Sequence, residues 1–236
     1  MSESCAPAPP LPGGLRIAVL GAESTGKTTL AGDIARTLRR LGQPLTLVDE
    51  ALRRWCDRHG RTPSCGEQQL IAQEQANAVL AAPAGHVVVA DTTPLQTAAY
   101  SELYFGDHSL TPGGLQHQGL YHLTLLTALD LPWVADGLQR DGPQWRGPVD
   151  QRLRTLLADA GLPFRVIYGE GNLRLEAALS AIFTIAKCDL SALGIDQFEQ
   201  KNRSPAAAGR PWQSLCECCG DPDCERRLFR ALTRGD

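Results

Sequence analysis

Short apolar runs alternate with stretches of helical spacing along most of the chain. Arg16–Leu20 (RIAVL) is a strand-sized run that ends on Gly21, and from Lys27 to Leu41 the residues Leu30, Ile34, Leu38 and Leu41 recur along one helix face. The pattern predicts strand, loop, helix. A second strand is predicted at Leu45–Val48, ahead of Asp49 and Glu50, followed by helices over Ala51–His59 and Gly66–Leu80. The run His86–Ala90 (HVVVA) is rich in β-branched residues, as a central strand buried on both faces requires, and Asp91 lies just beyond it.

Helical spacing returns around Leu95–Tyr104. A Gly-rich loop is predicted over Gly106–Gly114, a fourth strand over Tyr121–Leu126, and a polar segment containing tryptophan over Asp130–Pro148. Helix Val149–Ala160, strand Phe164–Ile167 and helix Leu173–Lys187 complete the alternation, which predicts a parallel sheet covered by helices on both faces. The expected fold is a three-layer α/β domain over residues 15–187, preceded by a flexible Pro- and Ala-rich leader (1–14) and followed by a linker and small Cys-rich C-terminal tail (188–236).

Composition adds few constraints. Twenty-three basic residues against 26 acidic ones give a net charge of −3, so no global attraction for nucleic acid or an anionic membrane is expected. No apolar run approaches the roughly 18–20 residues of a membrane span. The leader lacks the basic start and apolar core of a secretory signal, so the eight cysteines are expected as reduced thiols in the cytoplasm. Self-association into a homo-oligomer is left open.

The chemistry starts at Gly21-Ala22-Glu23-Ser24-Thr25-Gly26-Lys27-Thr28, which fits G-x-x-x-x-G-K-S/T between a predicted strand and helix. Glycines at both ends let the backbone curl so that its N–H groups, continuing into Thr29, point at phosphate oxygens. Lys27 then reaches the β- and γ-phosphates of ATP, and Thr28 ligates Mg²⁺. Ligands of parallel sheets bind beyond the carboxyl ends of the strands, which singles out Asp49, Glu50 and Asp91. Asp91 is placed to support Mg²⁺, and Glu50 or Asp49 to accept a proton from an attacking hydroxyl. Asp91 could instead cap the following helix. Arg140, Arg146, Arg152 and Arg154 lie in or beside the polar segment, where lid arginines would close on the γ-phosphate, a solvated face being the alternative.

With these motifs the chain resembles the ribosylnicotinamide-kinase-like ATPase domain of the NadR family, from about Leu15 to Lys187. The resemblance rests on GAESTGKTTL at Gly21–Leu30, an E-x-x-R element at Glu50 and Arg53, and an I-A-x-x-Q element at Ile71, Ala72 and Gln75. It rests further on the pair Asp91 and Thr92, and above all on D-x-P-W-V-x-D-G at Asp130, Pro132, Trp133, Val134, Asp136 and Gly137. It implies ATP-dependent phosphorylation of a small nucleoside, ribosylnicotinamide foremost, with Arg53, Trp133 and Asp136 at the acceptor. Asn172 and Arg174, past the last strand, are read as adenine neighbours or as a helix start. This chain departs from the family pattern at Ala51, Thr93 and Gln139, and carries no H-x-G-H nucleotidyl-transfer motif. The alternative is a regulatory nucleotide-binding ATPase or GTPase that hydrolyses slowly and signals through a partner-binding tail.

That tail holds Cys216, Cys218, Cys219 and Cys224 within nine residues. Four thiolates could surround one Zn²⁺, although the spacing is irregular and free thiols are the other reading.

Overall fold

The computed structural model describes residues 11–134 and 142–186. The chain runs β1 (Arg16–Leu20), α1 (Lys27–Arg40), β2 (Leu45–Val48), α2 (Ala51–His59), α3 (Cys65–Leu80), β3 (Val87–Asp91) and α4 (Pro94–Phe105). It continues through α5 (Thr111–Gln118), β4 (Leu123–Thr127), a 3-10 turn (Pro143–Trp145), α6 (Arg146–Asp159), β5 (Arg165–Ile167) and α7 (Gly171–Ala186). The five strands form one parallel sheet in the order β2-β3-β1-β4-β5.

The burial of each strand follows its place in that order. β3 and β4 are buried at every position and β1 at all but its first, whereas the edge strands β2 and β5 are only partly covered. Each fully buried Val, Leu or Ile contributes on the order of 1.5–3 kcal/mol, so the apolar runs that mark the strands also anchor the sheet. On one face α1 packs against α7; on the other, Leu95 and Ala99 of α4 and Val149, Leu153 and Leu157 of α6 meet Leu20 and Leu126 in one cluster. Three layers result, as the alternation predicts.

Boundaries shift by one to three residues at most elements, and two differences from the sequence reading have structural consequences. The segment read as a Gly-rich loop contains α5, in which Thr111-Pro112 starts the helix and both Gly113 and Gly114 are helical. A Cβ on Gly114 would lie 3.0 Å from Leu95 Cα, so the glycine that weakens α5 as an isolated helix lets it approach the start of α4. Packing overrides propensity here. Asp91, placed just beyond the third strand, is instead its last residue, paired with Val19 of β1.

Outgoing connections from β1 and β3, neighbours in the sheet, run to opposite faces: α1 follows β1 and α4 follows β3. Such a switch point opens a crevice at the strand ends. No helix among the described residues is long and apolar enough to cross a membrane.

Candidate functional site

The loop from β1 to α1 owes its shape to three residues with positive φ: Gly21 at 148°, Ser24 at 57° and Gly26 at 74°. A Cβ on Gly21 would lie 2.0 Å from Thr127 Oγ1, so the loop passes the end of β4 at a distance only glycine permits. Thr25 is fully buried beneath the loop, its Oγ1 2.7 Å from both Thr127 Oγ1 and Ala22 O, while Thr127 Oγ1 lies 3.1 Å from Leu20 O. The Gly21 N–H donates to Gln96 Oε1 at 3.2 Å. Thr25 therefore contributes its hydroxyl to the scaffold of the loop rather than to a ligand. Neither Thr127 nor Gln96 is marked by the motif, because their contacts come from other strands and helices.

α1 begins at Gly26 with no side-chain cap and no acid in its first turn. Its leading N–H groups and positive dipole end are thus left to whatever sits in the crevice. The Lys27 ammonium, nearly buried, donates to Ala22 O at 2.8 Å across the loop. Glu23, Ser24, Thr25, Gly26, Lys27, Thr28 and Thr29 all line one cavity of about 560 Å³.

Asp91 stands beside this loop. Thr93, not Asp91, is the N-cap residue of α4, so the capping alternative is not realised. The carboxylate is 3% exposed, Thr28 hydrogen-bonds to it, and its Oδ1 meets no donor among the described residues. Burial pushes the Asp91 carboxyl up, opposed by the Thr28 hydrogen bond and the Lys27 and Arg53 charges. The next residue, Thr92, has φ 70°, a costly conformation for a β-branched side chain. It is held by its own N–H on Val19 O at 3.0 Å and by Gln75 Nε2 on its carbonyl at 3.2 Å. Gln75 Oε1 in turn accepts the Ala51 N–H at 2.7 Å, tying the start of α2 to the end of β3.

Glu50, the N-cap residue of α2, lines the cavity and pairs with Arg53, also in its wall, at 3.7 Å. Asp49 is exposed and not part of the wall. The cavity continues past the phosphate loop to Leu52 and Cys56 of α2, Thr62 and Pro63, Gln68 of α3, and Gln96, Tyr100, Tyr104 and Phe105 of α4. These residues were missed in the sequence because they share no motif; only their helical spacing hints at a common face. Burial raises the Cys56 thiol, which keeps it protonated rather than nucleophilic.

The remaining candidates take other places. Arg146 donates to Leu131 O at 2.7 Å, holding the turn after β4. Arg152 pairs with buried Glu102 of α4, and Arg154 with Asp150 one turn back at 2.6 Å; these two serve α6 packing, not a lid. Arg174 is buried, with hydrogen bonds to Gly169 O at 2.9 Å and Ile167 O at 3.4 Å and an ion pair to Asp130 at 3.5 Å. Asn172 is exposed in the first turn of α7, and neither it, Arg174 nor Trp133 lines the cavity. The segment that carries Trp133 does reach the phosphate loop: the Val134 N–H donates to Ser24 Oγ at 2.7 Å, and Leu131 sits against Gly26. Asp136, Arg140, Cys216, Cys218, Cys219 and Cys224 lie outside the described residues.

Comparison with solved structures agrees with this fold. A NadR protein in complex with NR matches with a TM-score of 0.59 at 20% identity over 74% of this chain and 51% of that one. A NadR protein in complex with NAD and AMP-PNP gives 0.58 at 19% identity, over 74% and 50%. The chain thus spans about half the length of these two proteins. A deoxyadenosine kinase from M. mycoides with products bound gives 0.50 at 11% identity, over 72% of this chain and all of that one. At these identities the likeness is one of fold. No curated protein matches in sequence. Residues 16–174, two thirds of the chain and the whole span from β1 to the buried Arg174, match the AAA domain family, and the chain belongs to that family of P-loop proteins.

Proposed function

We propose that this protein is an ATP-dependent small-molecule kinase that transfers a phosphoryl group to the hydroxyl of a nucleoside, ribosylnicotinamide being the foremost acceptor. One observation carries the reading: the phosphate loop shares its cavity with Glu50 and Arg53, and that cavity runs on to side chains of α2, α3 and α4. A slow hydrolase or switch needs room for a triphosphate and water, not a second compartment. The fold likeness to a NadR protein bound to NR supports the choice of acceptor.

In this reading the loop N–H groups and the open start of α1 hold the triphosphate, and Lys27 moves from Ala22 O to its β- and γ-oxygens. Thr28 and Asp91 suit Mg²⁺, since Asp91 presents a buried oxygen that meets no donor among the described residues and already meets the Thr28 hydroxyl. Bound there, Mg²⁺ would spread the charge of the phosphates. Glu50, which lines the cavity where Asp49 does not, orients the acceptor hydroxyl and receives its proton, and Arg53 fixes the Glu50 carboxylate. Arg146 holds the base of the segment that reaches Ser24, and thereby the wall above the loop.

The test incubates the full chain with Mg-ATP and a panel of nucleosides including ribosylnicotinamide, and follows products by mass spectrometry. A nucleoside gaining one phosphate, in amounts matching the ADP formed, is expected. Release of inorganic phosphate with every acceptor unmodified would overturn the kinase reading in favour of a regulatory ATPase.

A further inference from the structure

Among the described residues five glutamines are buried: Gln43, Gln68, Gln75, Gln96 and Gln118. Four of them have a side-chain oxygen that accepts a hydrogen bond. Gln43 takes the Leu11 N–H at 2.9 Å, Gln75 the Ala51 N–H at 2.7 Å, Gln96 the Gly21 N–H at 3.2 Å and Gln118 the Thr93 hydroxyl at 2.6 Å. Gln68 differs. It is 4% exposed, yet its Oε1 meets no donor among the described residues. A buried amide oxygen left in that state costs about 1–3 kcal/mol, and an amide turned end for end would still leave one polar group facing the same surroundings.

Its surroundings are the cavity wall. Gln68 lies on α3 in the compartment beyond the phosphate loop, with Leu52 and Cys56 of α2 and Tyr100 and Tyr104 of α4. The two tyrosine rings lie nearly parallel, 12° apart in plane with centroids 5.6 Å apart, and Trp145 sets its edge on Tyr104 at 4.5 Å. An aromatic and aliphatic wall that includes a buried amide oxygen meeting no donor among the described residues suits a flat, largely apolar ring that carries a hydrogen-bond donor at its rim.

We propose that Gln68 reads the acceptor: the compartment binds a planar heterocycle bearing an amide or exocyclic amino N–H, which donates to Gln68 Oε1, and Gln68 sets the preference for such rings over analogues without the donor. The inference rests on reading this cavity as the acceptor compartment, and it names the class of ring that the compartment takes. A site that hydrogen-bonds its ligand rejects the analogue lacking that group, because the buried partner is left unpaired.

Calorimetric titration of the full chain, saturated with Mg²⁺ and a non-hydrolysable ATP analogue, tests this on matched pairs. The pairs are adenosine with purine riboside, cytidine with its analogue lacking the 4-amino group, and ribosylnicotinamide with the pyridinium riboside lacking the carboxamide. The wild type is expected to bind the donor-bearing member of at least one pair about 10- to 100-fold more tightly. Gln68→Leu should bring that ratio close to one while affinity for the ATP analogue stays within about twofold. Gln68→Met, nearly the length of glutamine, is titrated alongside so that misfolding of one variant leaves the other to decide. Failure of the wild type to discriminate any pair, or a ratio that survives in a folded variant, overturns the proposal. Turnover on the same samples separates the two readings: discriminating binding without phosphoryl transfer sinks the kinase and leaves Gln68 its role, and transfer without discrimination does the opposite.

Discussion

Two helices begin at the wall of the cavity and are finished in opposite ways. α1 starts on a left-handed glycine, with no capping side chain and no acid in its first turn. α3 starts on Ser64, whose N–H and hydroxyl both donate to Glu67 Oε2, at 2.8 and 2.7 Å, and Arg61 clasps that carboxylate at 2.7 and 2.8 Å. One helix leaves its N–H groups and positive end for a ligand; the other neutralises its own. In the proposed reading the cavity then offers an anion site at the start of α1, while the start of α3 is already neutralised, the division that a phosphoryl donor and an uncharged hydroxyl would use.

Lys27 decides whether the open start of α1 is enough. If the open start of α1 were sufficient to hold and activate a triphosphate, removing the lysine would matter little. Lys27→Ala is instead expected to lower phosphoryl transfer by about three orders of magnitude while thermal unfolding stays within a few degrees, because the ammonium meets charge that develops in the transition state. Product formation near the wild-type rate in that variant, with host enzyme excluded, would refute the assignment. Next in size is Gly21→Ala, whose Cβ would lie 2.0 Å from Thr127 Oγ1. The variant should lose about 2–4 kcal/mol of stability and most of its nucleotide affinity, since the loop must move off β4. Adding Thr127→Ala should restore part of both, measured by chemical denaturation and nucleotide titration.

A sharper test makes α1 resemble α3. Thr29 occupies the third position of α1, as Glu67 does in α3, and it is exposed. Thr29→Glu should raise the melting temperature slightly, as an acid in a first turn does, and weaken ATP about tenfold by filling the anion site with a carboxylate of its own. Equal ATP affinity would show that the start of α1 does not face the phosphates.

How much of this was legible in the sequence differs between the two ends. The anion end is a contiguous segment, so Gly21, Gly26, Lys27 and Thr28 announce themselves by spacing, and the strand before and helix after them follow from apolar periodicity. What the motif hides is its support: Thr127 and Gln96 come from other elements, and only the fold brings them against the loop. The other end has no contiguous signal at all. Leu52, Gln68, Tyr100 and Tyr104 lie on three helices, and each alone reads as an ordinary core or surface position. The arginines after residue 145 show the converse error, since charge in a polar segment suggested a lid, while Arg152 and Arg154 belong to the packing of α6. α5 was hidden because a glycine chosen for close approach looks in sequence like a glycine chosen for a turn.

The smallest effect is expected at the closed helix. The hydrogen bonds from Arg61 and then Ser64 hold the Glu67 carboxyl well below the usual carboxylate range, so its contribution to stability is present above the ordinary glutamate pKa and is lost as pH falls through the lowered value. Glu67→Gln removes the charge but keeps an acceptor for the Ser64 N–H. At neutral pH the variant should melt only slightly below wild type, because Glu67 and Arg61 are open to solvent and such pairs are screened. Acidification should then close the gap between the two melting curves, since the wild type gives up the interaction that the variant already lacks. ATP affinity should not change, for the α3 start takes no part in the anion site; a variant that gained affinity for inorganic phosphate or ATP would show that Glu67 had been excluding anions from this wall, and that the division of the cavity depends on repulsion rather than on the capping of α3.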